Sequence, residues 1–495
     1  MKEKNLSILH IILIIIGTIF ISLAIFHQNL WFDEAYSVAI ANHSFSEIWQ
    51  IGGADVHPVL YYFLLKIINV LVNGNLICYR LFSVLPITIL GILGFTHIKK
   101  DFGSKIGITF TFLTFFASAT AIYANQIRMY TWCLLNVAIL AIYAYRIYSG
   151  DKTNKNIIIF SLFNLFSMYT HYYGLMAAGV IDLLILFNTL HNKDYKLLKK
   201  LIIIYVLLII LYIPWLTNFI SQLKYVSSDD GFWIKFKFPY TYVELSSYQF
   251  LGYYVDSLTK EYGWYQYLVC IITTILTIYM ILKVIKDKNK MPLISLCIYF
   301  IVVIAALIIT LFLGTPILYH RYMFILLSFY IFPLSYVLAL EKNNIIKYGI
   351  IVFVLVTSII NVIGLIRENY NQNNKEVISY IKDNINNEDI LFGNDLTGTI
   401  IEYYFKGNNN KFLYNGYDWK INKAYEAFGP NLFIYNDTSF IDKLNDEFII
   451  VGYDDFIYNE LFNNDNYIKI SDVEFDINYQ NLSHYRFIKI KRISK

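Results

Sequence analysis

Apolar runs long enough for an α-helix to cross a bilayer core, about 17–25 residues each, recur along the first three-quarters of the chain. Candidate spans lie at about 8–26, 79–98, 106–124, 130–147, 156–171, 173–190, 200–219, 264–283, 292–313, 322–340 and 345–366. The pattern predicts an all-α polytopic membrane domain of about eleven transmembrane helices. The first run follows Lys2 and Lys4, as a signal peptide would, but it is long and no small-x-small cleavage site follows. It is therefore expected to be a retained span.

One segment breaks the pattern. Residues 58–73, PVLYYFLLKIINVLVN, are apolar but short, and Tyr62, Lys66, Asn69 and Asn73 fall on one helical stripe. They are expected to form an amphipathic helix in the outer interface rather than a span. The connections between spans support this parity. One set is basic: Lys99, Lys100 and Lys105; Arg146, Lys152 and Lys155; Lys193, Lys196, Lys199 and Lys200; Lys283, Lys286, Lys288 and Lys290; Lys342 and Lys347. Basic connections belong on the cytoplasmic side, with the N-terminus. The other set, 27–78, 125–129, the surroundings of His171, 220–263, 314–321 and the tail, then faces outward. The expected location is the plasma membrane.

From Arg367 the long apolar runs stop. Short strand-like runs (DILFGND, EFIIVGY, YRFIKIKRI) alternate with helix-like stretches such as KEVISYIKDNI, which predicts a small extracytoplasmic α/β domain over 367–495 after a membrane domain over 1–366. Composition agrees. Of the 495 residues 57% are hydrophobic and only 15% charged, which excludes an ordinary soluble chain. The net charge of +4 conceals a division: the tail carries 14 Lys+Arg against 20 Asp+Glu, and the rest of the chain 26 against 16. Four cysteines lie in or beside apolar runs, with neither a disulfide framework nor zinc-type spacing. The absence of a P-loop or GxGxxG pattern removes support for a nucleotide-driven pump, and nothing points to nucleic acid.

On this topology the unusual polar residues collect on one side. Asp33, Glu34, Asp55 and His57 lie in the first outer loop, Arg128 in ANQIRMY, His171 in YTHYYG, and His320 and Arg321 in LYHRYM. Each has a structural reading too. Carboxylates at span ends are often solvated, arginines there are often interfacial anchors, and His171 alone reads as a packed, hydrogen-bonded residue. The combination suggests chemistry. A shielded carboxylate can act as general base toward a hydroxyl, and guanidinium forks match phosphate oxygens. Together they suit transfer from a phosphate-linked lipid donor to a hydroxyl acceptor.

The ordered motifs WFDEAYS, DVHPVLYY, NQIRMYTW, THYYG and HRYMFILLSFYIFPL resemble the GT-C superfamily of membrane glycosyltransferases, nearest the bacterial and archaeal relatives of protein O-mannosyltransferases and aminoarabinose transferases. The resemblance runs from about residue 30 to 340 and does not cover the tail. It implies inverting transfer from a polyprenyl-phosphate sugar to a glycan, lipid or protein acceptor on the outer face, within membrane lipid. Asp33 would be the base and Glu34 the second acid of the pair. Asp55, His57 and Pro58 would help form the donor cavity. Arg128 and Arg321 would stand near the donor phosphate, with His171 and Tyr130 in the same donor region. Lys66 is a weaker candidate for the phosphate. Gln126 and Tyr130 stand where relatives carry acidic residues, which loads the chemistry onto the first loop. Some relatives use a divalent metal. His57 and Glu34 could ligate one, but two ligands do not make a site.

Two rival readings remain at this stage: a flippase or transporter of a lipid-linked glycan, and an oligosaccharide ligase with a diphosphate donor. A transporter should carry ionisable residues near the midplane of its spans, where this chain has little beyond Asp182.

Overall fold

The computed structural model describes residues 3–227, 234, 236, 238–252, 263–370, 373–392, 403–404, 409–414, 422–452, 457–479 and 482–493. The end of the DILFGND run, 393–395, falls outside them. Helices α1 (Glu3–Ser22), α2 (Phe32–Ile40), α3 (Phe45–Ala54) and α4 (Leu60–Val72) precede the long helix α5 (Leu76–Phe102). A bent pair follows, α6 (Ser104–Phe116) and α7 (Ser118–Ala124), then α8 (Tyr130–Tyr148), α9 (Asn154–Thr170), α10 (Tyr172–His191) and α11 (Tyr195–Val226). The series ends with α12 (Tyr240–Leu251), α13 (Trp264–Lys286), α14 (Met291–Leu313), α15 (His320–Leu340), α16 (Asn344–Asn369) and α17 (Asn373–Asn384). Among the described residues nine helices are long and apolar enough to cross a membrane, ten if the bent pair counts as one span. The remaining expected span is α9, which at 17 residues is short for a crossing helix. The chain is an integral membrane protein with a mostly helical body and a small C-terminal sheet domain.

Two compact units emerge. Unit 1 comprises Met1–Ile25, Val56–Tyr61 and Cys78–Ile366; unit 2 comprises Phe26–Asp55, Tyr62–Ile77 and Arg367–Lys495.

Unit 1 is the helical body. Small residues let its helices approach closely, as they must where lipid supplies no hydrophobic drive. Phe115 of α6 wedges against Gly17 of α1 and Gly91 of α5; a Cβ at these glycines would lie 2.3 and 2.5 Å from its ring. The bend between α6 and α7, 59°, occurs at Ala117, whose backbone is extended (φ −64°, ψ 127°). Buried asparagines tie the segment after the bend to neighbouring helices: Asn361 Nδ2 donates to Ser118 O at 2.8 Å, and Asn125 Nδ2 to Ile21 O at 3.0 Å.

The basic connections meet at one pole of unit 1. Lys99 pairs with Glu3 at 3.2 Å, Arg146 with Asp101 at 3.3 Å, Lys152 with Asp194 at 2.6 Å and Lys283 with Glu341 at 3.1 Å. The opposite pole carries Val56–Tyr61, the loop after α7, the turn between α9 and α10, and the start of α15. Asp182, the exceptional carboxylate within a span, receives Asn164 Nδ2 on both oxygens at 2.6 and 2.7 Å.

In unit 2 the first loop and the tail share one fold. A six-stranded sheet has the order β3-β2-β1-β4-β6-β5, with β1 Asp389–Phe392, β2 Lys411–Tyr414, β3 Leu432–Tyr435, β4 Glu447–Gly452, β5 Tyr467–Tyr479 and β6 Leu482–Arg492. The first four strands pair in parallel, and β5–β6 add an antiparallel hairpin beside β4. Leu391, Phe412, Phe448, Ile450 and Ile488 form part of its core. Parts of the first loop cling to this domain. Tyr36 meets Phe428 edge-on with ring centroids 6.2 Å apart, His43 bonds Ala427 O at 2.9 Å, and Asn29 Nδ2 donates to Asn369 O at 3.0 Å.

The polar stripe of α4 faces protein. Tyr62 donates to Asp55 Oδ2 at 3.1 Å, Lys66 to Asn42 O at 3.2 Å, and Asn69 to Ala41 O at 3.2 Å. Its other side is apolar and exposed at Ile67, Val70 and Leu71. At 13 residues α4 is too short to span a bilayer, and its bare apolar face suits an interfacial helix.

Candidate active site

The pole of unit 1 opposite the basic connections gathers five of the nine expected site residues: His57, Arg128, Tyr130, His171 and Arg321. His171 interrupts the helical path between α9 and α10. Its backbone is extended (φ −163°, ψ 149°), and its ring caps α10, with Nδ1 accepting from the Tyr173 N–H at 3.1 Å. A neutral imidazole that accepts at Nδ1 carries its proton on Nε2. That Nε2 is buried and has no protein partner. His57 approaches from the Val56–Tyr61 segment, its ring centroid 4.8 Å from that of His171, and its Nδ1 is likewise buried without a partner. The two histidines are 5% and 2% exposed.

An unpaired buried polar atom costs about 1–3 kcal/mol. Two such atoms lie side by side here, each able to take a hydrogen-bonding partner. Between them and α14 lies a cavity of about 170 Å³, lined by His57, His171, Tyr172, Tyr173, Met176, Gln222, Leu313 and Tyr322 among others.

Cations flank the pair. Arg128 sits on the loop after α7 with its guanidinium 6.0 Å from the Tyr130 ring centroid, and Tyr130 in turn lies 5.9 Å from His171. Arg321, in the first turn of α15, stands 5.6 Å from the Tyr319 ring. Burial pushes the His57 imidazolium well below its ordinary pKa, and the fields of His171, Arg128 and Arg321 push the same way. His57 is therefore a neutral hydrogen-bonding group at physiological pH.

Sequence reasoning passed over two residues here. Tyr322 packs 5.0 Å from His171 and 6.0 Å from His57; its adjacency to Arg321 was the available signal. Glu244 of α12 pairs with His320 at 3.5 Å and has no local signature.

The other four candidates belong to unit 2. Asp33 and Glu34 occupy the first turn of α2, where the helix N-terminus favours carboxylates. Glu34 is buried and Asp33 half-buried. Asp55 ends α3 and accepts from Tyr62, while Lys66 holds the backbone of Asn42. Among the described residues no three His, Cys, Asp or Glu side chains cluster as metal ligands would.

The fold has solved counterparts. ArnT from Cupriavidus metallidurans bound to undecaprenyl phosphate matches with a TM-score of 0.61 and 10% sequence identity, over 98% of each chain. The apo state of the same protein matches equally, at 0.61 and 10%, over 97% of each chain. No family model and no curated protein matches the sequence. At this identity the likeness establishes the fold. It extends through the tail, which the motif resemblance had left uncovered.

Proposed function

We propose that the protein is an inverting glycosyltransferase that moves a sugar from a polyprenyl-phosphate donor to a hydroxyl acceptor on the outer face of the plasma membrane. The observation that carries the proposal is the pair of buried, unpartnered imidazole nitrogens of His57 and His171, set beside Arg128 and Arg321 and facing a cavity. The fold is one in which a solved relative binds undecaprenyl phosphate.

The chemistry asks for such a set. The acceptor oxygen attacks the anomeric carbon as the carbon–oxygen bond to the phosphate breaks, and the acceptor proton passes to a carboxylate. The donor, a phosphodiester with one negative charge, leaves as a phosphomonoester with two. The new charge falls on phosphate oxygens, where guanidinium groups and N–H donors stabilise it most. Arg128 and Arg321 supply charge, and His57 and His171 supply N–H groups without adding cations that repel the arginines. Asp33, half-buried on the first turn of α2, is assigned as base, with Glu34 as the second acid of the pair and Asp55 and Lys66 assisting donor binding. A transporter reading gains nothing from Asp182, whose carboxylate is tied to Asn164.

The test is to incubate purified protein with a panel of polyprenyl-phosphate sugars and a total envelope extract as acceptor source. Release of polyprenyl phosphate with one sugar of the panel is the expected result. Transbilayer movement of intact donor without turnover would support the flippase reading instead.

A further inference from the structure

A second cavity in unit 1 lies away from the histidine pair. It has a volume of about 400 Å³ and sits toward the basic pole, between the C-terminal halves of α8 and α10, the N-terminal half of α14 and the middle of α15. Its walls are Ala138, Ile142, Ile185, Ile298, Phe329 and their neighbours. Apolar cavities of about 150 Å³ already stay dry and take up benzene, so a larger one in a membrane body holds hydrocarbon. Its mouth lies at Phe187 and Tyr148, lining residues that are 69% and 40% exposed. The rim is polar: Asn188, His191 and the Asp101 carboxylate that pairs with Arg146.

We propose that this cavity binds one acyl chain of an anionic phospholipid from the leaflet at the basic pole. Charge names the occupant. The five connections at this pole carry sixteen lysines and arginines against five carboxylates, and Asp101, Asp194 and Glu341 among the five are matched by Arg146, Lys152 and Lys283. Lys288 stands three residues before the lining residue Met291, and Lys193 follows two residues after His191. An acidic headgroup at the mouth would meet this excess. The tail of a polyprenyl donor fits less well. Its phosphate belongs with His171, and about 30 Å of α10 separates His171 from His191. The bound chain would wedge α8, α10 and α14 apart at a fixed spacing.

The experiment uses the full chain purified in detergent, stripped of lipid and titrated with phosphatidylglycerol, phosphatidylcholine or polyprenyl phosphate. Native mass spectrometry counts the molecules retained. One phosphatidylglycerol per chain is expected, preferred over phosphatidylcholine on the order of tenfold. Ala141→Phe, which fills the cavity, should remove that retention while polyprenyl phosphate still binds. The double variant Lys193→Gln/Lys288→Gln, on exposed positions that leave the core untouched, should erase the headgroup preference without lowering the melting temperature. Equal retention of phosphatidylglycerol by Ala141→Phe and the wild type overturns the proposal. So does equal retention of the two phospholipids, or one-for-one displacement of phosphatidylglycerol by polyprenyl phosphate.

Discussion

His171 performs two tasks that substitution can separate. Its Nδ1 caps α10 through the Tyr173 N–H, and its Nε2–H points to no protein acceptor. Asparagine at this position keeps a cap acceptor of similar reach, and helix N-caps favour it, but it cannot place a donor where Nε2 stood. His171→Asn should therefore fold with little loss. If Nε2–H serves the donor phosphate, the variant forfeits a hydrogen bond to a charged group, about 1.5–3 kcal/mol. At 1.4 kcal/mol per factor of ten, kcat/KM for the donor should fall about 10- to 150-fold. His171→Phe keeps the ring volume but loses both tasks, so the same kinetic deficit should appear together with about 0.5–2 kcal/mol of destabilisation from the missing cap. The assay is donor turnover at subsaturating concentration, alongside thermal unfolding in detergent. His171→Asn within twofold of the wild type in donor use would refute the reasoning, because the buried nitrogen would then be a tolerated defect of packing.

Arg128→Lys and Arg321→Lys keep the charge and lose the planar fork; each should weaken donor binding, measured by competition with polyprenyl phosphate, with expression unchanged. His57 links stability to pH. Its folded pKa lies below the unfolded value of about 6.5, so the unfolded state binds more protons between the two. Stability is full above about pH 6.5 and falls by up to ~1.4 kcal/mol per unit as the pH drops below it; His57→Gln should flatten that slope in melts from pH 8 to pH 5. Gly17→Val drives a side chain into Phe115 and should cost about 1–3 kcal/mol, read as a lower melting temperature. Cysteines at Ser104 and Tyr195 should resist a membrane-impermeant reagent in intact cells, and one at Asp55 should react; labelling at 104 or 195 would overturn the assigned orientation.

Much of the fold was legible because its signals are local. A span announces itself in about 20 consecutive residues, and the stripe of Tyr62, Lys66, Asn69 and Asn73 marked α4 as amphipathic. The orientation of that stripe was not legible. Its polar residues bond inward to Asp55, Asn42 and Ala41, leaving Val70 and Leu71 bare. The partnership of first loop and tail joins residues nearly 400 apart, such as Tyr36 and Phe428, and such pairs leave no periodic trace. The break at Ala117 was hidden because the run around it stays apolar, and the contact that holds the next residue, Ser118, comes from Asn361, far along the chain. At the site the charged and ionisable residues stood out against apolar sequence. Tyr322 was lost among 44 tyrosines. The functional weight of His171 rests on an unpaired nitrogen that only three dimensions reveal.

The central claim is that the donor's phosphodiester becomes a phosphomonoester. Phosphorus NMR reads that conversion without a label or an identified product. Purified protein is mixed with the accepted polyprenyl-phosphate sugar and acceptor extract, and the two phosphorus signals are followed in time. The account predicts that the diester signal declines as a monoester signal grows in equal amount. Asp33→Asn should slow the change by on the order of 10²–10⁴ while the donor still binds. A diester signal that stays constant while the same preparation moves the donor across vesicles, or an Asp33→Asn variant that converts it at the wild-type rate, would contradict it.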